Sequence, residues 1–89
     1  MGESEILVGD KPLKSYVMAA LLHEGAIIRA RGRHIKKAID AALILERAWG
    51  YAIEDVKLSS ESVSIPDVGE KYVSSVDIVV RRDERWQRT

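Results

Sequence analysis

The spacing of apolar residues changes repeatedly along this chain, and each change marks an element. Glu5-Ile6-Leu7-Val8 is a short apolar run broken by Gly9-Asp10, which predicts a first strand over residues 5–8. Leu13, Tyr16, Val17, Ala20 and Leu21 then recur at helical spacing. Pro12 stands where a first helical residue would, since its missing N–H costs nothing there, and Gly25 reads as the glycine that closes the helix. Residues 26–31 alternate again, with Ile28 and Ala30 on one face and Ile27, Arg29 and Arg31 on the other.

Gly32 turns the chain. From Arg33 or His34 to about Trp49 the period is helical, and Ile35, Ala38, Ile39, Ala42, Leu45, Glu46 and Trp49 share a face. Ala41, Ile44 and Ala48 add apolar surface on another side. A helix apolar on two sides in so small a protein usually lies between a sheet and a partner. Gly50 closes it. Ile53 to Val63 and Val68 to Arg82 read as two long strands around the turn-like cluster of residues 64–69. In the first, Val56 and Leu58 alternate; in the second, Tyr72, Ser74, Val76, Ile78 and Val80 share a face. Residues 59–75 are too polar for core and predict a projecting hairpin arm. Residues 83–89 read as a frayed tail, and Trp86 within it has no explanation. The order is βαβαββ, an α+β fold in which helices cover one face of a sheet, over a single domain spanning residues 1–89.

Composition narrows the function. The chain has no cysteine, which excludes disulfides, thiolate metal sites and cysteine nucleophiles. No run of 18 apolar residues and no secretory pattern is visible, so an intracellular protein with no membrane role is the expectation. Net charge is zero, but it is segregated. Residues 26–39 carry +5 and residues 40–70 carry −5. The basic block, Arg29-Ala30-Arg31-Gly32-Arg33-His34-Ile35-Lys36-Lys37, places five cations in nine residues without an acid. Such a cluster suits phosphate, because an arginine fork can hold one with two hydrogen bonds and a helix N-terminus adds partial positive charge. The plainer alternatives stay open: a solvated strand edge for Arg29, Arg31 and Arg33, and exposed lysines for Lys14, Lys36, Lys37 and Lys71. For Arg81 and Arg82 the plainer reading is preferred.

Catalytic and metal chemistry find no support. His23 and His34 lack carboxylate or histidine partners at ligand spacing. Asp40 and Glu46 form no acid/base pair, and the serines at 59–62 have no accompanying base. No catalytic residue, metal, cofactor or small-molecule substrate is assigned.

The stretch from Ile6 to Ala20, with Gly9-Asp10-Lys11-Pro12 at its centre, resembles the opening signature of the Alba proteins, an archaeal family of nucleic-acid-binding chromatin proteins. Arg29-Ala-Arg-Gly-Arg-His-Ile-Lys-Lys-Ala38 resembles the family's second signature. The two stand in register, and the resemblance covers residues 5–82. It implies a two-layer βαβαββ sandwich similar to the C-terminal domain of a bacterial translation initiation factor. It implies a homodimer whose two arms straddle duplex DNA or RNA and reach along the minor groove. Lys11, Arg29, Arg31, Gly32 and Arg33 would form the body of the binding surface, with Lys14, Lys36 and Lys37 beside it and Lys71 as the arm's phosphate contact. Trp49 would mediate side-by-side packing of dimers, although simple core packing is an equal reading for Trp49 and Tyr51.

Three departures stand out. Asp10 occupies a place where many members carry lysine, the helix-to-strand loop at residues 23–25 is short, and the chain is neutral. The expectation is therefore a cytoplasmic, chromosome-associated architectural protein that coats or bridges duplexes with little base reading. The alternatives are an RNA-binding subunit of a ribonuclease P-type particle, or a weak binder that heterodimerises with a basic Alba paralogue.

Overall fold

A computed structural model of the chain describes residues 4–83. The elements are β1 (Ser4–Leu7), α1 (Leu13–Leu21), β2 (Gly25–Arg31), a 3-10 turn (Gly32–His34), α2 (Ile35–Trp49), β3 (Tyr51–Ile65) and β4 (Gly69–Arg82). One four-stranded sheet runs in the order β1-β2-β4-β3. β1 lies parallel to β2, joined by the α1 crossover, while β2 and β3 both run antiparallel to β4. This is the α+β sandwich the polar/apolar pattern predicts.

Alternation puts one face of the sheet under the helices. Ala26, Ile28 and Ala30 of β2 and Val76, Ile78 and Val80 of β4 are buried against Tyr16, Val17 and Ala20 of α1 and Ala38, Ala41, Ala42 and Leu45 of α2. The α2 core stripe is therefore rotated from the expected one. Small alanines face the sheet, while Ile39 and Trp49 are 41% and 52% exposed and Glu46 is exposed too.

Two helix boundaries differ from expectation. Pro12 is extended, with ψ 152°, and acts as the cap preceding the helix, not as its first turn. Gly25 does not close α1; it opens β2, opposite Arg81. The helix already ends at Leu21, with Leu22 still right-handed at φ −76°. The amides of Leu22 and His23 serve the carbonyls of Ala19 and Ala20, and distant side chains add to them. The Tyr51 hydroxyl lies 2.6 Å from the His23 carbonyl and 3.2 Å from that of Ala20. Arg82 donates to the Leu21 carbonyl and to the Tyr51 oxygen, with its guanidinium 5.5 Å from the Tyr51 ring centre. Tyr51 is thus core, 3% exposed. Gly50, by contrast, closes α2 as expected, in the left-handed region at φ 74°.

The long hairpin is regular except at Glu54, where a bulge separates the pairs Ile53–Val80 and Asp55–Val79. The extra residue switches the inward set of β3 from Tyr51 and Ile53 to Val56 and Leu58. Beyond Arg31, where β2 ends, β4 has only β3 beside it and the two strands run on as an arm. The radius of gyration is 14.7 Å, against roughly 12 Å for a compact domain of this length, and the molecule measures 57 × 25 × 21 Å. At the tip, the Val68 amide donates to the Ile65 carbonyl, and Asp67 adopts φ 68°, the left-handed position of a type II turn after Pro66. Asp83 is tied back by its amide to the Gly50 carbonyl at 2.9 Å; residues 84–89 of the expected tail, Trp86 included, lie outside the described residues.

Replacing Tyr51 by phenylalanine keeps the packing and removes the hydroxyl that serves α1. Thermal unfolding should show a loss of about 1–2 kcal/mol, with Tm lowered by roughly 4–8 °C for each kcal/mol. An unchanged Tm would mean that water replaces the hydroxyl at no cost.

Candidate nucleic-acid interface

The junction between β2 and α2 builds the site. Arg31 is the last residue of β2 and points to the open face of the sheet, because Ala30 points inward. Gly32 follows at φ 57°, a conformation that a side chain disfavours, although the nearest atom to an added Cβ would be 4.0 Å away. The backbone conformation, not lack of space, calls for glycine there. The 3-10 turn then presents Arg33 and His34 before α2 begins.

Across from this turn stands the arm. Arg31, Gly32, Arg33, His34, Val63, Lys71 and Val73 line an open groove of about 560 Å³. The structure thus brings together residues 40 positions apart: the arginines of the basic block and Lys71, which pairs with Val63 two rows from the hairpin turn.

The remaining expected site residues divide. Arg29 sits in the open face of the sheet, inside an ion-pair row. Its guanidinium lies 2.9 Å from Glu5 on β1 and 3.4 Å from Asp77, its direct partner on β4. Lys37 turns inward to the β1–α1 loop, donating to the carbonyls of Gly9 at 2.9 Å and Lys11 at 2.7 Å, with Tyr16 beneath it at 5.8 Å. The Tyr16 hydroxyl in turn accepts from the amides of Gly9 and Lys11. Lys37 and Tyr16 therefore hold the loop that carries Asp10 and Lys11 against the start of α2. Lys36 is highly exposed and pairs with Asp40 one turn on. Lys14 lies on a different surface, beside the apolar groove of Leu13, Val17, Met18, Leu21, Ile44 and Trp49. Half-exposed Trp49 belongs to that surface, not to the core.

The sequence gives no direct sign of the acids that meet these cations. Arg31 is 2.7 Å from Glu61 of β3, and Arg33 is 3.1 Å from Asp10, which also lies 3.6 Å from His34. Among the described residues, Lys11, Lys14 and Lys71 have no carboxylate within ion-pair range. The arm itself is acidic: residues 59–75 hold Glu61, Asp67 and Glu70 against Lys71. Among the described residues no three His, Asp or Glu side chains gather as a metal site would require, and no helix is long and apolar enough to cross a membrane.

Known proteins share this architecture and sequence. The family model described as Alba matches residues 4–60. A "DNA/RNA-binding protein Alba" of Nitrosopumilus maritimus is 37% identical over 86 residues, covering 89% of this chain and 90% of that protein. "DNA/RNA-binding protein Alba 1" of Archaeoglobus fulgidus is 34% identical over 89 residues, covering 92% and 99%. Both are named for binding, not for a reaction. Among solved structures, Alba from Thermoplasma volcanium superposes with a TM-score of 0.78 at 32% identity, covering 89% of this chain and all of that one. An Alba protein of Trypanosoma brucei shares the fold at TM-score 0.73 and 16% identity, covering 94% of this chain and 73% of that one. On the family match and on relatives this similar over nearly their full lengths, the chain belongs to the Alba family.

Proposed function

We propose that this protein binds nucleic-acid duplexes as a homodimer, through the phosphate backbone and with little base reading, as an architectural component of the chromosome. The observation that carries the reading is the groove between the β2–α2 turn and the arm, lined by Arg31, Arg33 and Lys71. Three cations on three elements, meeting in one open concavity next to a projecting ribbon, suit a ligand that runs past the body and along the arm. The names of the archaeal relatives support nucleic acid as that ligand.

Dimerisation is supported by what β3 leaves uncovered. Val56 and Leu58 face the helix side of the sheet yet are 52% and 71% exposed, because β3 is an edge strand whose covered part is its start, at Tyr51 and Ile53. Ile39 lies on the flank of α2 opposite the one where Ile44 meets α1, at roughly 100° per residue around the helix. A second copy laid against this edge would bury all three and set two arms side by side. A further contact between dimers through Trp49 is supported by its exposure beside Met18. The heterodimer with a basic relative remains the second reading, favoured by the arm's three acids against one lysine.

A salt titration on matched duplex DNA and RNA tests the main reading. Each phosphate neutralised should add about −0.9 to the slope of log K against log salt on B-form DNA. Arg31→Ala with Arg33→Ala should weaken binding at least tenfold, assuming on the order of 1.5 kcal/mol for a charge-assisted contact, and should flatten that slope. Unchanged affinity would remove the groove from the binding surface. No duplex binding by the wild type would favour the heterodimer reading.

Leu58→Asp should convert the dimer to a monomer in light scattering while leaving the fold intact, since the side chain is exposed in the single chain. A dimer that survives this change would place the interface elsewhere.

A further inference from the structure

The groove's arginines are already occupied. Glu61 holds Arg31, and Asp10 holds Arg33 with His34 beside it. Neither acid lines the concavity itself; each reaches one of its arginines from a neighbouring element. Glu61 stands on β3 of the arm root, and Asp10 on the β1–α1 loop that Lys37 and Tyr16 fasten to α2. Neither carboxylate can drift far from its arginine, because each is carried by anchored backbone. Both side chains are at the surface, 52% and 80% exposed, so both can swing aside into water.

We infer that Asp10 and Glu61 act as built-in counter-ions of the binding groove, so that a nucleic acid enters by exchanging its phosphates for these two carboxylates. This rests on the duplex reading above and adds to it how the affinity of the same site is set. The electrostatics follow from counting. Arg31, Arg33 and Lys71 supply three fixed positive charges per protomer, and the two carboxylates leave one. An incoming phosphate must displace a carboxylate that remains within a few ångströms, so the gain is the difference between two ion pairs, not the whole of one. Exposed pairs of this kind are weak, which makes the exchange reversible and the acids a tuning device, not a block. Glu61 has a second effect. Its pair with Arg31 spans the point where the arm leaves the three-stranded part of the sheet, so exchange with phosphate also releases the contact that ties the arm root to β2.

The test compares wild type with Asp10→Asn plus Glu61→Gln on a duplex of about 24 base pairs and on its RNA counterpart, across a salt series. The double variant should bind at least tenfold tighter at moderate salt, since a dimer has four such pairs and each is worth a factor of roughly two or more. Its log K against log salt should steepen by about two to four for a dimer, since up to two more charges per protomer then face phosphate. Glu24→Gln is the control. It removes one acid just before β2, at the end away from the groove, where the side chain pairs with no cation among the described residues, and should change neither quantity. Equal tightening by Glu24→Gln would make the effect one of net charge and overturn the inference. Equal affinity and slope for wild type and double variant would overturn it too, while leaving duplex binding standing. Binding by the double variant alone would support it in its strongest form. Absence of binding by every protein would sink the duplex reading, and this inference with it. Matched circular dichroism of the three proteins confirms that the comparison is made between folded chains.

Discussion

Everything in this structure depends on β2 having only one face to bury. It lies inside the sheet with β1 on one side and β4 on the other, so its backbone is bonded along both edges and its register is fixed. Ala26, Ile28 and Ala30 fill the core, which forces Ile27, Arg29 and Arg31 onto the open face. A slip by one residue would bury two arginines, so the hydrophobic core and the placement of the cations are one constraint. Because β2 stops at Arg31 and β4 does not, the same residue also marks where the arm begins. The left-handed Gly32 then reverses the chain tightly enough to set Arg33 against that arm.

Much of this was legible from the amino acids in order. Element number and type, the inward set of β2 and β4, Gly32 as a turn and Gly50 as a helix stop all follow from local spacing. The misses involve contacts between distant residues. Gly25 looked like a helix stop because glycine usually supplies one. Here the helix ends at Leu21 on the Leu22 and His23 amides, with Tyr51 and Arg82, about 30 and 60 residues on, bonding the same end, and Gly25 begins a strand. The bulge at Glu54 had a trace in the sequence, since Ile53 to Val56 to Leu58 breaks strict alternation. At the site, one cluster and Lys71 were visible as cations, but nothing local distinguishes Lys37, which fastens a loop, from Lys36, which faces water. The pairing of Arg31 with Glu61 and of Arg33 with Asp10 joins segments 30 and 23 residues apart. No period or motif encodes it.

The core explains why apolar surface is left over. Of its sixteen buried hydrophobic residues, six are alanine, three of them on α2. Alanines let α2 lie close on the sheet, but they bury little area each, and a domain this small has little to spare. Other large apolar side chains are left at the margins: Val56 and Leu58 on the edge strand, Met18, Leu22 and Trp49 around the outer helices. These two separate margins are what the assembly proposed above would cover. The arm fits the same logic, because a ribbon two strands wide with little core of its own gains most when a partner or ligand supports its root.

Charge completes the argument. Read in one dimension, the chain is a basic block followed by an acidic one, and the sum is zero. Folding sets the basic block against acids from inside and outside the acidic block: Arg29 between Glu5 and Asp77, Arg31 against Glu61, Arg33 against Asp10, Lys36 against Asp40. Segregation in sequence thus becomes neutralisation in space. A polycationic surface would attract any polyanion at long range and hold it tightly. A surface of exposed, pre-formed pairs attracts weakly at a distance and commits only at contact, where a ligand must offer phosphates positioned to replace carboxylates one for one. Net charge alone would argue against a nucleic-acid-binding role here; under the exchange proposed above, the same acids set how readily the interface opens.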